Sequence, residues 1–354
     1  MYKNITAIVI LYIFLTSNIQ AVELGELNST KFKVGGYVKI EGRFTDQDSG
    51  DDGFEGSARQ SRINFSATRE IEGHTVTGFV EGDFYGNSVT GSPYDWRLRH
   101  AFIKVDSLTM GQTWNGQFLA VIPYDVPTLD FWNAGKGTVA GNGGVVRPDL
   151  VVHYVSHGLR LSLQDPVNSE ADYPDFVVNY AHKFDFGLDL SVAFAGRDVA
   201  KSNTTNNSDE SEFGAAAIFA GKYSLGSTSF HLNGYSGEGQ GIYSGFGYGG
   251  AWNPVLNPVV DADANGNLIK TTGGAVGISH SFGEKLRGGI RYAEIKADET
   301  ESGVDDVLEM TNVNLVYTYL PGLEFGVEWR DQNFNTHPIR PAGQQVELMA
   351  MYNF

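Results

Sequence analysis

Gln344-Gln-Val-Glu-Leu-Met-Ala-Met-Tyr-Asn-Phe354 is the stretch that decides the fold. Apolar side chains occupy every second position from Val346 to Phe354, and polar residues and two methionines fall between them. Alternate side chains of a β-strand point to opposite faces, so this segment predicts a strand with one apolar and one mostly polar face. A last strand of this kind, ending on an aromatic residue, is typical of a bacterial outer-membrane barrel.

The amino terminus predicts a secretory signal peptide. Lys3 gives a positive start, residues 5–15 form an apolar run, and small polar residues then lead to a cleavage position after Ala21. The run is too short to span a bilayer as a helix, which takes about 20 residues. The expected division is a signal peptide at 1–21, a short periplasmic segment at 22–32 and the barrel at 33–354.

The composition suits a wall with one apolar and one wet face. The chain has 354 residues, 41% of them hydrophobic, and no cysteine, so it forms no disulfide. No stretch after the signal is apolar for the 18 or so residues that a helical span needs. The net charge of -17 is concentrated in acidic loop segments, which argues against a nucleic-acid partner.

Alternating segments, separated by connections that are short and long in turn, predict an all-β chain. Sixteen strands are expected, at about 33–45, 57–70, 74–86, 94–105, 108–115, 148–156, 158–165, 173–184, 187–199, 212–224, 227–239, 272–282, 285–297, 307–320, 323–334 and 344–354. Gly and Pro mark the short connections, as tight turns require. An even strand number with short turns at one end and longer loops at the other is the pattern of a transmembrane antiparallel β-barrel.

The alternation also assigns faces. In the first barrel strand Val38 and Ile40 point to one side, and Lys39, Glu41 and Arg43 point to the other. Placing Lys or Arg on the lipid face at the middle of the bilayer costs about 2–4 kcal/mol. The apolar set must therefore face lipid, and the charged set must face the lumen.

Basic residues near the expected lumen are the strongest functional signal. Arg97 and Arg99 are two residues apart and share a face, and paired guanidiniums suit a carboxylate, which they can bind through two parallel hydrogen bonds. These arginines could equally balance Glu81 and Asp83. The residues alone do not decide between two arrangements: a transverse electric field made by charges of both signs, or a site with net affinity for anions.

Two long loops, at about 115–147 and 239–271, are rich in aromatic residues, Gly and Pro. Loops of this length are usually functional or disordered. If the first, which is the third outer loop, folds inward, it narrows the pore and turns Asp125 and Asp130 toward the basic wall. The alternative is an outward loop that packs on a neighbouring subunit.

The second long loop begins like a calcium-binding loop. Asp261, Asp263 and Asn265 supply oxygens at alternate positions before a glycine, but position twelve is Thr272 rather than Glu. An acidic turn without metal is the alternative that we favour. Catalysis also has little support, since the neighbouring His153, Ser156 and His157 have no third orienting group. We expect no enzymatic activity and no cofactor.

A series of short motifs resembles one family. They occur in the order Val34-Gly-Gly-Tyr-Val-Lys-Ile40, Arg59-Gln-Ser-Arg-Ile-Asn-Phe65, Glu81-Gly-Asp-Phe-Tyr-Gly86, Leu98-Arg-His-Ala101, Gly111-Gln-Thr-Trp114 and Pro127-Thr-Leu-Asp-Phe131, before Arg147-Pro148. The set is similar to the DcaP-like porins of Gram-negative outer membranes, over about residues 33–165.

The resemblance implies a sixteen-stranded homotrimer, a third outer loop folded into the lumen, and passage of small anions such as dicarboxylates. Arg59, Arg62, Arg97 and Arg99 match basic positions of the family pattern. Family members can carry a coiled-coil extension before the barrel. Only about a dozen residues separate Ala21 from the first strand here, without heptads, so trimerisation would depend on the barrel wall.

The sequence thus predicts a porin in the outer membrane of a Gram-negative bacterium, in contact with lipid and lipopolysaccharide, that favours small organic anions. A nonselective or cation-preferring porin and a plugged, surface-binding barrel are the alternatives. The expected pore-lining residues are Lys39, Glu41, Arg43, Arg59, Arg62, Glu81, Asp83, Arg97, Arg99, Asp125, Asp130 and Arg147.

Overall fold

The computed structural model describes residues 21–48, 52–86, 95–129, 147–166, 171–200, 211–244, 261–262, 266–298, 307–333 and 342–354. Its strands are β1 Val22–Leu27, β2 Thr30–Gln47, β3 Gly53–Ser57, β4 Arg62–Ile71, β5 His74–Gly86, β6 Asp95–Val105, β7 Leu108–Gln112, β8 Val151–Ser156, β9 Leu159–Gln164, β10 Asp175–Lys183, β11 Leu188–Ala200, β12 Ser211–Leu225, β13 Thr228–Glu238, β14 Lys270–Ser281, β15 Leu286–Ala297, β16 Val307–Leu320, β17 Leu323–Gln332 and β18 Gly343–Asn353. There are two short helices among the described residues, α1 Gly116–Val121 and α2 Gly241–Ser244. A 3-10 turn at Ile122–Tyr124 directly follows α1. Within these ranges, no helix is long and apolar enough to cross a membrane.

The strands close into one antiparallel barrel. Each strand from β4 onward pairs with the next, and β18 returns to β2, where Tyr352 lies opposite Val38. β3 pairs with the later part of β2 and β4 with its earlier part, so β3 and β4 share one wall position. The seventeen strands β2–β18 therefore fill sixteen positions in the described chain, which confirms the predicted sixteen-strand barrel.

The second wall position is interrupted, where the sequence predicted one strand over 57–70. Residues 58–61 leave the β-ladder here. The Ser61 side chain, rather than backbone groups of this segment, forms the hydrogen bonds with the Lys39 backbone. The Lys39 amide donates to Ser61 Oγ at 3.0 Å, and that hydroxyl donates to the Lys39 carbonyl at 3.2 Å. Arg59 lies in this irregular segment, and its carbonyl accepts a hydrogen bond from the Phe84 amide at 3.1 Å.

β1 forms a hairpin with the start of β2. Asn28 and Ser29 have φ values of 50° and 60°, which suit a tight two-residue turn. Thr30 also lies opposite Arg69, close to the short turn after β4, so the hairpin lies at the end of the barrel where the connections are short. The periplasmic position of residues 22–32 stays a prediction, and residues 1–20 of the expected signal lie outside the described ranges.

The two faces of the wall separate as the alternation predicted. Ile40 is 58% exposed on the outer surface, whereas its neighbours Lys39 and Glu41 are each 2% exposed. The same pattern recurs on β18, where Leu348 is exposed and Glu347 is buried. An outward apolar band and an inward polar face are the requirements of a lipid-embedded barrel.

Part of the inner wall is apolar, which differs from the polar lumen that the sequence predicted. Ile218 on β12, Tyr235 on β13 and Ile295 on β15 are buried and point inward. They pack with Val121 at the end of α1 and with Ile269 just before β14. Two loop segments therefore cover this side of the lumen and give it a small hydrophobic core.

Candidate functional site: the inward loop and the charged lumen

The third outer loop leaves β7 and turns into the barrel. Asn115 caps α1, since its Oδ1 accepts from the Phe118 amide at 2.6 Å. Gln164 Oε1 on β9 accepts from the Gly116 amide at 3.0 Å. His153 Nε2 on β8 lies 2.9 Å from the Trp114 carbonyl, which can only accept, so Nε2 carries the proton and Nδ1 accepts from Ser162.

The loop then crosses the lumen and attaches to the far wall. Each attachment joins a loop atom to a different strand: Tyr124 O to His231 Nδ1 at 2.7 Å, Asp125 Oδ1 to Arg291 Nε at 2.8 Å, Pro127 O to Asn314 Nδ2 at 2.8 Å, Leu129 N to Glu328 Oε2 at 2.9 Å, and Leu129 O to Lys39 Nζ at 2.9 Å. The bonds reach β13, β15, β16, β17 and β2. They fix residues 113–129 across the channel.

Asp125 does not lie against the arginines of β4 and β6. Its carboxylate pairs with Arg291, on the wall that β15 forms. The pair is almost fully buried. Asp130, the other expected acidic residue of the loop, lies outside the described residues.

Glycines on the inner wall receive the loop side chains. A Cβ added to Gly289 would lie 2.7 Å from Val126 Cγ1, and one added to Gly326 would lie 2.7 Å from Leu129 Cδ2. Both distances are too short for a real carbon, so the absence of side chains at these positions makes room for the loop. The strand pattern did not indicate these two positions, because a glycine in a strand carries no sign of what packs on it.

Replacing Gly289 with Ala should loosen the inward loop. The new methyl group would overlap Val126, and overpacking of this kind costs about 1–3 kcal/mol. We expect larger current fluctuations in single-channel recordings. The Gly289→Ala, Val126→Ala double variant lacks Cγ1, so its current fluctuations should return to the wild-type level. If the Gly289→Ala protein shows the same current fluctuations as the wild type, the packing of Val126 on Gly289 does not hold the loop.

A cluster of charges covers the inner face of β4, β5 and β6. Arg97 binds Asp83 through two parallel hydrogen bonds of 2.9 and 2.7 Å. Arg99 joins both acids, with Nε 3.0 Å from Glu81 Oε1 and Nη1 2.6 Å from Asp83 Oδ2. Arg62 Nη1 also reaches Glu81 Oε1, at 3.4 Å. Each carboxylate thus serves two guanidiniums.

A β-bulge in β6 shapes this cluster. Glu81 lies opposite His100 and Gly82 opposite Leu98, so Arg99 is an extra residue without a partner across the ladder. Arg99 and His100 are consecutive, yet both are buried on the inner face. Bulges re-aim side chains in this way, often beside functional sites. Simple alternation places Arg97 and Arg99 together but does not predict that His100 joins them.

The inward loop contributes aromatic contacts to the cluster. Trp114 stacks on Phe118 with ring centroids 4.3 Å apart. The guanidinium carbon of Arg147, where the loop returns to the wall, lies 4.9 Å from the Trp114 ring centroid, and that of Arg99 lies 5.8 Å away. Cations over a tryptophan face are attracted by its quadrupole. We call Arg62, Arg97, Arg99, Arg147, Glu81 and Asp83 the arginine cluster.

The other described pore-lining residues that the sequence predicted make contacts of their own. Lys39 lies between Glu41 at 3.3 Å and Glu347 at 3.2 Å. Arg43 pairs with the exposed Glu55 at 3.0 Å. Arg59 donates from Nε to the Phe84 carbonyl at 3.3 Å.

The acidic end of the second long loop pairs with the barrel wall. Asp261 Oδ2 accepts from Arg197 Nη1 at 2.6 Å. Asp263 and Asn265, the other candidate calcium ligands, lie outside the described residues. Among the residues that are described, no group of three or more His, Asp or Glu side chains could hold a metal ion.

The chain resembles known outer-membrane proteins over nearly its whole length. No family model matches it. It is 22% identical to the outer membrane porin PhoE of Citrobacter freundii over 93% of both chains. Its structure matches the outer membrane channel DcaP of Acinetobacter baumannii with a TM-score of 0.75, at 14% identity, over 93% of this chain and 99% of that one. OmpT of Vibrio cholerae in its trimer form matches with a TM-score of 0.63, at 13% identity, over 92% and 100%.

These matches agree with the closed sixteen-strand barrel of this chain. They do not extend to a solute, because identities this low carry the fold alone. The protein is therefore an outer-membrane β-barrel with the fold of the Gram-negative porins, the DcaP channel among them.

Proposed function

We propose that the protein is a passive diffusion channel for small hydrophilic solutes, that it favours small organic anions, and that it works as a homotrimer. The observation that carries the anion preference is the charge of the arginine cluster. Three arginines share two carboxylates there and Arg147 is a fourth cation beside them, so the cluster keeps a formal excess of two positive charges.

Arg147 supplies part of this excess. Its guanidinium lies against Trp114, and the described residues give it no ion pair. Its buried Nη1 has no hydrogen-bond partner among them either. A carboxylate entering beneath the inward loop would meet this group together with Arg62, and guanidiniums bind carboxylates in planar, two-bond geometry.

The acidic residues on the other side of the lumen are engaged in holding the loop. Glu328 Oε2 accepts from the Leu129 amide and from Asn314 Nδ2, at 2.9 and 3.1 Å. Glu347 is paired with Lys39, which itself holds the Leu129 carbonyl. Lys39 also offsets part of the negative charge of Glu41 and Glu347 on this side, which favours the anion channel over the cation-preferring alternative.

The proposed mechanism is electrostatic focusing without a bound cofactor. Charges of one sign in a narrow, low-dielectric passage raise the local concentration of the opposite ion, by about tenfold or more. The inward loop narrows the passage beside the arginine cluster, so the small diameter and the charge act on a solute at the same depth in the channel. Charge rings at a constriction are the usual basis of porin-type selectivity.

The test is the reversal potential of single channels in a planar bilayer under a KCl gradient. We expect anion selectivity and closure in three steps. Cation selectivity would mean that Glu41, Glu81 and Asp83 dominate and would establish the alternative porin. A folded barrel without conductance would indicate a plugged, surface-binding protein.

A further inference from the structure

We propose that the organic anions which the channel favours most are monocarboxylates with a flat apolar body, of the benzoate type, and that two phenylalanines of the inner wall bind that body. The inference rests on the proposed channel function and on the arginine cluster as the site of the carboxylate. Its own basis is a pair of stacked aromatic rings on the inner wall. The inner wall of a water-filled barrel is ordinarily polar.

The two rings belong to neighbouring strands. Phe79 on β5 lies opposite Phe102 on β6, and their ring centroids are 5.0 Å apart with an interplanar angle of 22°. Phe79 shares the inner face with Glu81, whereas Val80 between them is exposed on the outer surface. Both rings are half-buried, so they offer an apolar surface to the lumen. We call Phe79 and Phe102 the ring pair.

The ring pair is continuous with the aromatic side chains of the inward loop. The ring centroid of His100 lies 6.4 Å from that of Phe79 and 4.8 Å from that of Trp114, with edge-on geometry in both contacts. Trp114 in turn lies against the guanidinium of Arg147. The rings therefore extend from the constriction toward the end of the barrel where the connections are short.

The spacing between charge and rings suits one small molecule. Glu81, whose Oε1 binds both Arg62 and Arg99, is two residues from Phe79 on the same face of β5. One such repeat of a strand is about 7 Å, which is comparable with the length of a benzene ring and its carboxylate. The guanidinium carbon of Arg62 lies 4.6 Å from the Tyr37 ring centroid. A cation–π contact of this kind uses the flat face of the guanidinium and leaves its in-plane N–H groups for carboxylates.

The wall beside the ring pair adds little net charge. Ser66 on β4 lies opposite Phe79, and Lys33, opposite Ser66 on β2, pairs with Glu23 at 3.0 Å. Lys104, the next inward cation on β6, lies a further repeat toward the short turns. The positive excess of the arginine cluster thus lies at one end of the ring pair, which suits a solute with one carboxylate.

The test measures the concentration of a solute that halves the KCl current of single channels. Sodium benzoate is compared with acetate, cyclohexanecarboxylate and terephthalate. We expect benzoate to act at roughly tenfold lower concentration than acetate, which has the carboxylate without the ring. Cyclohexanecarboxylate lacks the flat face, and terephthalate places a second carboxylate against the ring pair, so both should need higher concentrations than benzoate.

A double variant assigns the effect to the ring pair. Phe79→Ala with Phe102→Ala should raise the halving concentration of benzoate roughly tenfold and leave that of acetate unchanged. The matched control is Phe325→Ala, which truncates a ring that is 45% exposed on the outer surface and should change neither value. Heat-modified mobility in gels verifies that each barrel is folded. If the Ala variant does not fold, Phe79→Leu with Phe102→Leu keeps apolar side chains and should remove the preference for benzoate over cyclohexanecarboxylate.

The outcomes separate this inference from the proposed function. If the wild type is anion-selective but benzoate and acetate act at the same concentration, or the Ala double variant behaves like the wild type, the ring pair is not a solute site and the anion channel stands. Stronger action of terephthalate than of benzoate would overturn the assignment to monocarboxylates. A wild type without anion selectivity would overturn the proposed function and this inference together.

Discussion

Replacing both Arg97 and Arg99 with Gln should abolish the anion preference of the channel. The pair supplies two of the four positive charges of the arginine cluster, so the formal excess falls from two to zero while Glu81 and Asp83 remain. Without the excess, focusing of anions disappears, and we expect the ratio of anion to cation permeability to fall on the order of tenfold. The reversal potential in a KCl gradient measures this directly.

Two controls distinguish charge from damage to the barrel. The Arg97→Lys and Arg99→Lys double variant retains the charge but loses the two-bond geometry, so it should keep most of the ion selectivity. Arg287→Gln removes an inward arginine that pairs with Glu324 at 2.7 Å, near the short turns and away from the inward loop. It should leave the reversal potential close to that of the wild type. An unchanged potential in the Gln double variant would remove the arginine cluster from the mechanism.

Replacing Arg291 with Met should release the inward loop from the far wall. Arg291 and Asp125 have side chains that are 0% and 2% exposed, and removing one partner of such a pair leaves a buried charge at a cost of about 3–5 kcal/mol. Asp125 lies in the loop rather than in the sheet, so the loop can relieve this cost by leaving the lumen without unfolding the barrel. We expect higher conductance with frequent transitions.

The Asp125→Asn, Arg291→Met double variant tests this cause. It has no uncompensated buried charge, so its conductance should lie closer to that of the wild type, as exchange of a whole buried pair is often nearly neutral. Proteolysis of the folded barrel gives a second readout, because a released loop is cut more readily than an attached one. If Arg291→Met alone has the conductance and the current fluctuations of the wild type, the pair of Asp125 and Arg291 does not hold the loop.

The sequence predicted the wall better than it predicted the contents of the lumen. Alternation has a period of two and depends only on neighbouring residues, so it identified the strands and placed Lys39 and Glu41 inside and Ile40 outside. It also brought Arg97 and Arg99 to one face. It missed the interruption at Ser61 and the bulge at Arg99, because both depend on hydrogen bonds across strands that a local pattern does not contain.

What surrounds each inward charge could not be predicted locally. Asp125 was expected to face the basic wall, but the pattern could not name its partner, Arg291, which is 166 residues away in sequence. Gln164 was not predicted as a functional residue, since an isolated Gln has no distinctive spacing. Its role comes from closure of the barrel, which brings β9 to the start of the inward loop.

The sequence by itself determined an all-β outer-membrane barrel, the faces of its strands and the two long loops. These follow from the solvent on each side of the wall, because lipid excludes charge and water accepts it along every strand. Only the tertiary structure decided where the loops lie and which charges they leave unbalanced. Closing the barrel brings residues such as Lys39 and Leu129 together, and Coulomb and hydrogen-bond energies depend on that distance, which no local pattern records.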